Sequence, residues 1–504
     1  MERIESQITT KTGDTLTSTI KRLPSVWRIA REGRKAVAAL PEYGGEIAIP
    51  DSKVIYSWIE EICRTPHRRP GTVEGGIAEQ WVFDKLKEFG LEHVTMEPIP
   101  VTVWTAEKWS LAAAGKIMPS FFVVNTGFTG TEGVTSSLAY VGTGMAKDFE
   151  NANVSGKIVV ADVTFPLLPT GVLMKAMRAR YFLSDPEGWV TLGSRQYLNF
   201  ARQNFMGGET AETAPEGDVY WQSFRRGAKG ICLILRDQPT NSNTHYGPYD
   251  GIMKPLPGLW IGKRDGVELR ELAKRGAEAS LVLEGRTEPG TTHNVWGILP
   301  GESEDVILVT SHHDSPFQGA VEDGSGVAQV LAQACAWSKV PREQRPKTMV
   351  FVLDAGHFYG SIGADTFASA HQDILARTKV LITLEHLAAK EVEPRGEEYA
   401  PTGRLAFTVM FTSPEPTTVA SAIKALKKTR AKATASIPAD FFGPGPISDA
   451  LGYVLAGGMP VISWIGCPYY LLDQGDTLDK IDQTELKPVC ETVTEIVKTH
   501  MAMP

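Results

Sequence analysis

Apolar and polar positions change their spacing twice along this chain of 504 residues. Between residues 51 and 90, apolar side chains recur three and four positions apart, which predicts helices ending at Gly90. From Val101 the pattern changes to short apolar runs with glycine-rich turns, as at 154–160 and 227–234. These runs indicate strands. The first half of the chain therefore predicts a helical start followed by a β-rich region.

From residue 294 onward, apolar strands alternate with amphipathic helices. The predicted elements are, in order, 306–309, 325–338, 348–353, 361–376, 380–384, 405–410, 416–428, 461–465 and 484–500. This alternation predicts an α/β fold with a mostly parallel central sheet flanked by helices. The active site of such a sheet lies at the carboxyl ends of its strands. Since His312, His357, Glu385 and Cys467 each follow a predicted strand end, we expect them to share one site.

Composition and charge argue against several classes of partner. The net charge of -8 disfavours nucleic acid and anionic membranes. The first residues lack the apolar core of a signal peptide, and no stretch approaches the roughly 18 apolar residues of a membrane span. The five cysteines are scattered, with no Cys-x-x-Cys, as in a reducing compartment. We therefore expect a cytoplasmic protein with a small-molecule substrate. The sequence leaves open whether it forms a homodimer.

The segment Ser311-His312-His313-Asp314 ends an apolar strand, and Glu322-Asp323-Gly324-Ser325-Gly326 begins eight residues later. Several metallohydrolases present their first ligands in this way, on a strand end and on the glycine-rich loop that opens the next helix. A neutral imidazole and a carboxylate oxygen both bind divalent metals, and Asp314 can orient the histidine ring or the reacting water. The alternative is a polar strand end followed by an ordinary turn.

In order and spacing, these motifs and others resemble the co-catalytic zinc aminopeptidases, a family that includes glutamate carboxypeptidase, the transferrin receptor and glutaminyl cyclase. The other motifs are residues 67–71 (HRRPG), 81–90 (WVFDKLKEFG), 156–159 (GKIV), 227–231 (GAKGI), 294–295 (NV), 299–301 (LPG), 448–449 (SD), 458–460 (GMP) and 476–482 (DTLDKID). The resemblance implies a zinc-aminopeptidase-like α/β fold with an inserted, β-rich protease-associated domain.

The resemblance also implies a division of the chain into three parts. Residues 1–120 correspond to the N-terminal helical part of the peptidase-like domain, and 121–290 to the protease-associated insert. Residues 291–504 correspond to the main α/β domain. Within the insert, residues 165–220 form a further insertion with scattered arginines and aromatics, which we expect to be a partly helical lid or wall.

Three metal ligands of the family fall on residues that can still bind a metal, namely His312, Glu322 and Glu385. The ligands of the second metal do not carry over. The family's Glu-Glu pair, a general base followed by a ligand, falls on His357 and Phe358, or on 354–355 (DA) in an alternative alignment. In both alignments the ligand position holds a residue that cannot bind metal.

The family's last histidine ligand falls on Leu472. The resemblance therefore implies a mononuclear site with one divalent ion per chain, zinc first and manganese or iron next. His357 then acts as general acid–base or as a fourth ligand. Asp314 is the second catalytic residue in this interpretation. His386 stays open between a ligand and a supporting residue.

Two neighbouring histidine and aspartate residues have simpler interpretations. Strand alternation points His313 away from His312. Asp323 is expected to cap the following helix.

Without a second metal the enzyme loses one means of holding a free α-amine. The expected substrate walls are Phe358, Tyr469, Tyr470 and Leu472. Arginines of the insert either clamp a substrate carboxylate or carry surface charge. We expect a metal-dependent hydrolase of a C–N bond in a small substrate, aromatic or carboxylate-bearing. The alternatives are a conventional aminopeptidase or carboxypeptidase, an acyl-transfer or cyclisation enzyme, and an inactive peptidase-like binding scaffold.

Overall fold

The computed structural model describes residues 12–150, 152–198, 210, 212–213 and 218–504. The α-helices are α1 (Thr12–Ala36), α2 (Ser52–Cys63), α3 (Val73–Glu88), α4 (Ala146–Glu150), α5 (Val219–Arg225), α6 (Lys263–Lys274), α7 (Gly326–Ser338), α8 (Ile362–Ala370), α9 (Gln372–Arg377), α10 (Pro416–Thr429), α11 (Ala450–Gly457) and α12 (Leu486–Ala502). Short helical turns lie at Val37–Ala39, Val172–Ala176, Ala320–Ser325, Arg342–Gln344, Leu478–Lys480 and Gln483–Glu485.

The strands are β1 (Glu92–Ala113), β2 (Lys116–Met118), β3 (Phe121–Phe122), β4 (Val134–Tyr140), β5 (Ile158–Val163), β6 (Leu167–Leu168), β7 (Phe182–Ser184), β8 (Gln196–Tyr197), β9 (Gly230–Leu235), β10 (Gly258–Ile261), β11 (Glu278–Leu299), β12 (Ser303–His312), β13 (Lys347–Asp354), β14 (Thr378–Glu385), β15 (Lys390–Arg395), β16 (Glu398–Leu405), β17 (Thr408–Thr412), β18 (Thr434–Pro438) and β19 (Val461–Gly466).

The central sheet runs in the order β3-β10-β9-β5-β4-β11-β13-β12-β14-β19-β17-β18-β7. Strands β13, β12, β14 and β19 are parallel neighbours, and β11 and β17 flank them in antiparallel orientation. Both faces are covered. Ile307 and Val309 pack in the cluster that contains α7 and α12, whereas Val306 and Leu308 pack in the cluster that contains α8 and α11. The predicted α/β class with a mostly parallel sheet is confirmed.

Strands β1 and β11 form an antiparallel pair of 22 residues each. One end of β11 pairs with β13 and the other end with β4, so β11 joins the two halves of the sheet. The prediction of short strands with turns from Val101 is wrong here. Most of β1 is exposed or half-buried, so it lacks the apolar alternation that identifies a strand.

Two predicted elements of the main domain are interrupted. The helix expected over 361–376 is divided into α8 and α9 at His371, which has a non-helical backbone. The strand expected over 405–410 is divided between the end of β16 and the start of β17. The other predicted helices and strands after residue 294 lie within three residues of the observed ones.

The described part of the 165–220 segment crosses from the β-rich region to the main domain. Its strand β7 pairs with β18 at the edge of the central sheet. The turn at Val172–Ala176 packs Leu173 and Met174 into the cluster shared with β12 and α8. Residues 199–209, 211 and 214–217 of the predicted lid lie outside the described residues. The predicted domain limits stay predictions.

The part of the chain that the structure describes contains no helix that is both long and apolar enough to cross a membrane. All five cysteines are free thiols, as their scattered spacing predicts.

Candidate metal centre and active site

Three buried side chains meet at the carboxyl edge of the central sheet. His312 ends β12, Glu322 lies in the turn before α7, and His386 directly follows β14. His312 Nε2 lies 3.5 Å from Glu322 Oε1, and His386 Nε2 lies 2.8 Å from Glu322 Oε2. Two ligands of a tetrahedral zinc ion, each about 2.1 Å from the metal, are about 3.4 Å apart. These three side chains are thus spaced as ligands of one ion.

The backbone explains why these residues meet. Strands β12 and β14 are parallel neighbours, so their carboxyl ends lie side by side. The turn that carries Glu322 is held by Asp476, whose carboxylate accepts the backbone N–H groups of Val321 and Glu322 at 2.9 and 2.8 Å. The fully buried Arg68 donates to the carbonyl of Gly319 at 2.7 Å, in the same loop.

Several buried polar atoms of the site have no hydrogen-bond partner among the described residues. They are His312 Nε2, Glu322 Oε1, Glu385 Oε2, His386 Nε2 and Asp449 Oδ2. Unpaired buried polar atoms are costly, and this many in one place indicates an ion that the protein is built to hold. Imidazole and carboxylate donors fit a divalent metal, zinc above all.

The charges of the site favour a cation as well. Burial lowers the pKa of His386, but the nearby Glu322 carboxylate outweighs it and the pKa rises to about 10. Burial and then the charge of Asp449 raise the pKa of Glu385 to about 8. Both shifts have nearby buried carboxylates among their causes, and a bound divalent ion would offset that negative charge.

His357 lies beside this cluster and is held by Asp449. The two are joined by a contact of 2.8 Å between His357 Nδ1 and Asp449 Oδ1, and Ser361 donates to the same oxygen at 2.5 Å. The His357 ring stacks on His312 with ring centres 4.0 Å apart, and on Tyr249 at 5.3 Å. Because Nδ1 donates to the carboxylate, the lone pair of Nε2 is free. That nitrogen lies 3.7 Å from Glu322 Oε1.

Asp314 acts on the loop that carries His357. Its two carboxylate oxygens accept the backbone N–H groups of His357 at 3.2 Å and Phe358 at 3.1 Å. Asp314 Oδ1 also lies 3.7 Å from His312 Nδ1. Asp314 therefore positions the two histidines relative to each other, and both of its oxygens are already engaged.

Glu385, the third ligand implied by the resemblance, lies at the edge of the cluster. Its Oε1 accepts the backbone N–H of Asp449 at 3.3 Å, and its Oε2 is unpaired. Two groups of described side chains instead bring their ligand atoms together, His312 with Glu322 and His386, and His312 with His357 and Asp449. We take the first as the ligand set because all three of its side chains are buried and have an unpaired ligand atom. Glu385 remains close enough to the cluster to respond to its charge.

The neighbouring polar residues have structural partners. Asp323 accepts the N–H of Gly326 at 3.1 Å, as a helix cap does, and the N–H of His386 at 2.9 Å. His313 turns away from the site, and its Nε2 contacts the carbonyl of His293 at 3.0 Å. Asp354, the alternative base position, is buried and accepts the Tyr453 hydroxyl at 2.6 Å.

The positions of the missing second-metal ligands are filled by apolar packing. Phe358 and Leu472 belong to one buried cluster with Tyr246. The Phe358 ring lies 5.5 Å from that of Tyr246, and the carbonyl of Leu472 accepts the Tyr246 N–H at 2.8 Å. Neither side chain can bind a metal. The Phe358 ring is enclosed by Tyr246 and Tyr249, whereas Leu472 also lines an open pocket.

A large pocket opens beside the candidate metal ligands, with an empty volume of about 1310 Å³. Of the four predicted wall residues, Leu472 lines this pocket. Phe358 lies behind His357, and Tyr469 lines a neighbouring polar cavity. Tyr470 is fully buried in the core, where its hydroxyl donates to the Lys390 carbonyl at 3.3 Å.

The structure adds two residues to the site that the sequence left undecided or missed. His386 has a backbone φ of 57°, which breaks strand alternation and lets it follow Glu385 into the same site. The sequence indicates Asp449 only as part of a Ser-Asp motif. Its position directly before α11 carries no sign that it holds His357.

Comparisons with known proteins give a family match and several similar folds. Residues 294–497 match the model of peptidase family M28. The zinc aminopeptidase BSAP from Bacillus subtilis aligns with 89% of this chain and 95% of its own, at 19% identity and a TM-score of 0.65. A peptidase M28 precursor from Shewanella amazonensis SB2B aligns over 96% and 98%, at 18% identity and a TM-score of 0.64.

An aminopeptidase from Aneurinibacillus sp. strain AM-1 aligns with 89% of this chain and 93% of its own, at 20% identity and a TM-score of 0.59. No functionally curated protein matches the chain significantly. At these identities the solved structures establish the fold, and the family match covers the part of the chain that carries the metal cluster. Residues 294–497 therefore match the model of peptidase family M28, and the fold of the chain is similar to that of the solved zinc aminopeptidase and M28 peptidase structures.

Proposed function

We propose that this protein is a metal-dependent hydrolase that cleaves a carbon–nitrogen bond in a small substrate with a single divalent ion. The observation that carries the proposal is the convergence of unpaired donor atoms of His312, Glu322 and His386 at the mouth of a pocket. The peptidase family of the domain supports C–N hydrolysis. Retention of a complete donor set argues against an inactive scaffold.

The ion count follows from what surrounds the cluster. Phe358 and Leu472 supply hydrocarbon where a second ion would need donors. His312, Glu322 and His386 would hold the one ion, with Glu385 adjacent. Bound there, a zinc ion supplies Lewis acidity and lowers the pKa of water.

The proton transfers fall to His357. Its Nδ1–H is donated to Asp449 Oδ1, so the ring is fixed in the tautomer with a free Nε2. Nε2 lies 3.7 Å from the Glu322 oxygen that His312 Nε2 faces at 3.5 Å, so it points toward the place where the ion and its water would lie. His357 can therefore take a proton from the attacking water and deliver it to the leaving nitrogen. Asp449 orients the ring and stabilises its protonated form.

The test combines metal analysis with turnover. Purified protein should contain about one zinc, manganese or iron ion per chain, and should hydrolyse at least one member of a panel of 4-nitroanilides. Chelation should abolish this hydrolysis, and one equivalent of zinc should restore it. His313→Ala serves as the control, because this histidine is buried beside the site and faces away from it.

Two bound ions of similar affinity would contradict the mononuclear site. Turnover that survives complete removal of metal would contradict the hydrolase proposal as a whole.

A further inference from the structure

The walls of the active-site pocket are almost entirely hydrocarbon. Beyond the metal cluster, aromatic and aliphatic side chains from β17, β18, β19 and the following loops line it, including Phe407, Val409, Phe411, Ile437, Phe441 and Ile465. On the opposite side, the 165–198 segment contributes Leu168, Leu173 and Met174. An apolar substituent that enters this pocket would therefore contact hydrocarbon on both sides.

The described lining residues of the pocket offer a substrate no charge beyond the catalytic groups. Among the described residues that line it, none is lysine or arginine. The described arginines of the 165–198 segment are not among its lining residues, and Arg195 lines the adjoining polar cavity, which shares Thr170, Gln196, Phe407 and Cys467 with this pocket. A substrate carboxylate would therefore meet no lysine or arginine among the described lining residues of the pocket.

The carboxylates at the inner end of the pocket are Glu322, Glu385 and Asp449. Each already faces a group of the site. Glu322 faces His386, Asp449 faces His357, and Glu385 accepts the backbone N–H of Asp449. A substrate ammonium would compete with the bound ion and with His357 for these oxygens, and burying it unpaired costs free energy.

We infer that the substrate carries an uncharged apolar group, aromatic or aliphatic, on the scissile amide, and that it has no free α-ammonium next to that bond. The inference rests on the proposed hydrolase function and names its substrate class. It separates this protein from an enzyme that recognises the amino terminus of a peptide.

The test uses two anilides that differ in one group. 3-Phenylpropanoyl 4-nitroanilide and L-phenylalanine 4-nitroanilide are identical apart from the α-ammonium of the second. We expect the zinc-loaded protein to hydrolyse the uncharged anilide with a kcat/KM about tenfold or more higher, the cost of one unpaired buried polar group. In a series of straight-chain acyl anilides from acetyl to hexanoyl, kcat/KM should rise by up to about fourfold per methylene.

A pocket variant gives an independent measurement. Val409→Lys places an ammonium in the apolar wall and should lower kcat/KM for the uncharged anilide by about tenfold or more, with unchanged metal content. Val267→Lys makes the same change on an exposed face of α6 and should change nothing. Val409→Phe, which narrows the pocket without a charge, should shift the preference to shorter acyl chains.

Faster hydrolysis of the phenylalanine anilide overturns the inference and leaves the proposed function standing. Val409 variants that leave both substrates unaffected also overturn it, since the pocket would then not hold the substrate. Hydrolysis of no anilide by protein with one bound zinc ion contradicts both the inference and the proposed function.

Discussion

Replacing His357 with alanine separates proton transfer from metal binding. The imidazole contacts Asp449 at 2.8 Å. It belongs to a second candidate group with His312 and Asp449, whereas the ligands we propose are His312, Glu322 and His386. General acid–base catalysis by a positioned side chain contributes about 10²–10⁴ in rate. At about 1.36 kcal/mol per tenfold, this loss corresponds to about 2.7–5.4 kcal/mol of transition-state stabilisation. We therefore expect kcat to fall by two to four orders of magnitude, as those values imply.

The metal should stay in His357→Ala, because His312, Glu322 and His386 are unchanged. The measurement is kcat on the best anilide together with metal content by mass spectrometry. His357→Glu should recover part of the rate, since a carboxylate can also carry the proton. His313→Ala is the matched control: it removes a neighbouring imidazole that faces His293 and should leave both quantities unchanged.

Two results would refute this reasoning. If His357→Ala loses its metal, His357 is a ligand, and the proton must pass through another group. If neither rate nor metal content changes, His357 has only a packing role between His312 and Tyr249.

Three further predictions address the ligands, the missing second metal and acid stability. Metal analysis should show that His386→Ala loses the metal, whereas Glu385→Gln retains most of it. Equal retention in both variants would contradict the assignment of His386 as a ligand. The double variant Phe358→Glu with Leu472→His should bind a second zinc equivalent, because it supplies donors in the apolar cluster that both residues occupy. Titration calorimetry that still gives one equivalent would contradict this prediction. Burial and then the Lys347 charge lower the pKa of His500 to about 4, so the folded state keeps it neutral while the unfolded state, with a pKa near 6.5, takes up a proton. The free energy of unfolding should thus fall by about 2 kcal/mol between about pH 7.5 and about pH 5. Urea unfolding of His500→Gln should show a weaker pH dependence of this free energy. An equal pH dependence in both proteins would show that other groups cause it.

The sequence predicts the main domain well because its strands are buried on both faces. A strand such as 306–309 is buried on both faces and needs an apolar residue at every position. Such a run can be recognised in the sequence without knowing which strands pair with it. The long β1–β11 pair is different. In its middle, β11 pairs with no described strand other than β1, and most of β1 is exposed or half-buried, so its side chains are mixed and no local pattern identifies it.

The candidate site was predictable where a ligand ends a strand. His312 and Glu322 followed from the spacing of strand, loop and helix. His386 could not be assigned, because its left-handed backbone overrides the alternation that a sequence pattern assumes. Asp449 depends on a contact across 92 positions of the chain, which no local pattern contains.

The carboxylate of Asp476 has a consequence for how the protein is made. It ties down the backbone of Glu322 from 154 positions further along the chain. At roughly 5–20 residues per second, a ribosome needs roughly 8–30 s to pass from one residue to the other. During that interval the nascent chain displays Glu322 without one of the contacts that hold its backbone. We therefore expect the proposed metal site to reach full affinity only after the last part of the domain has docked.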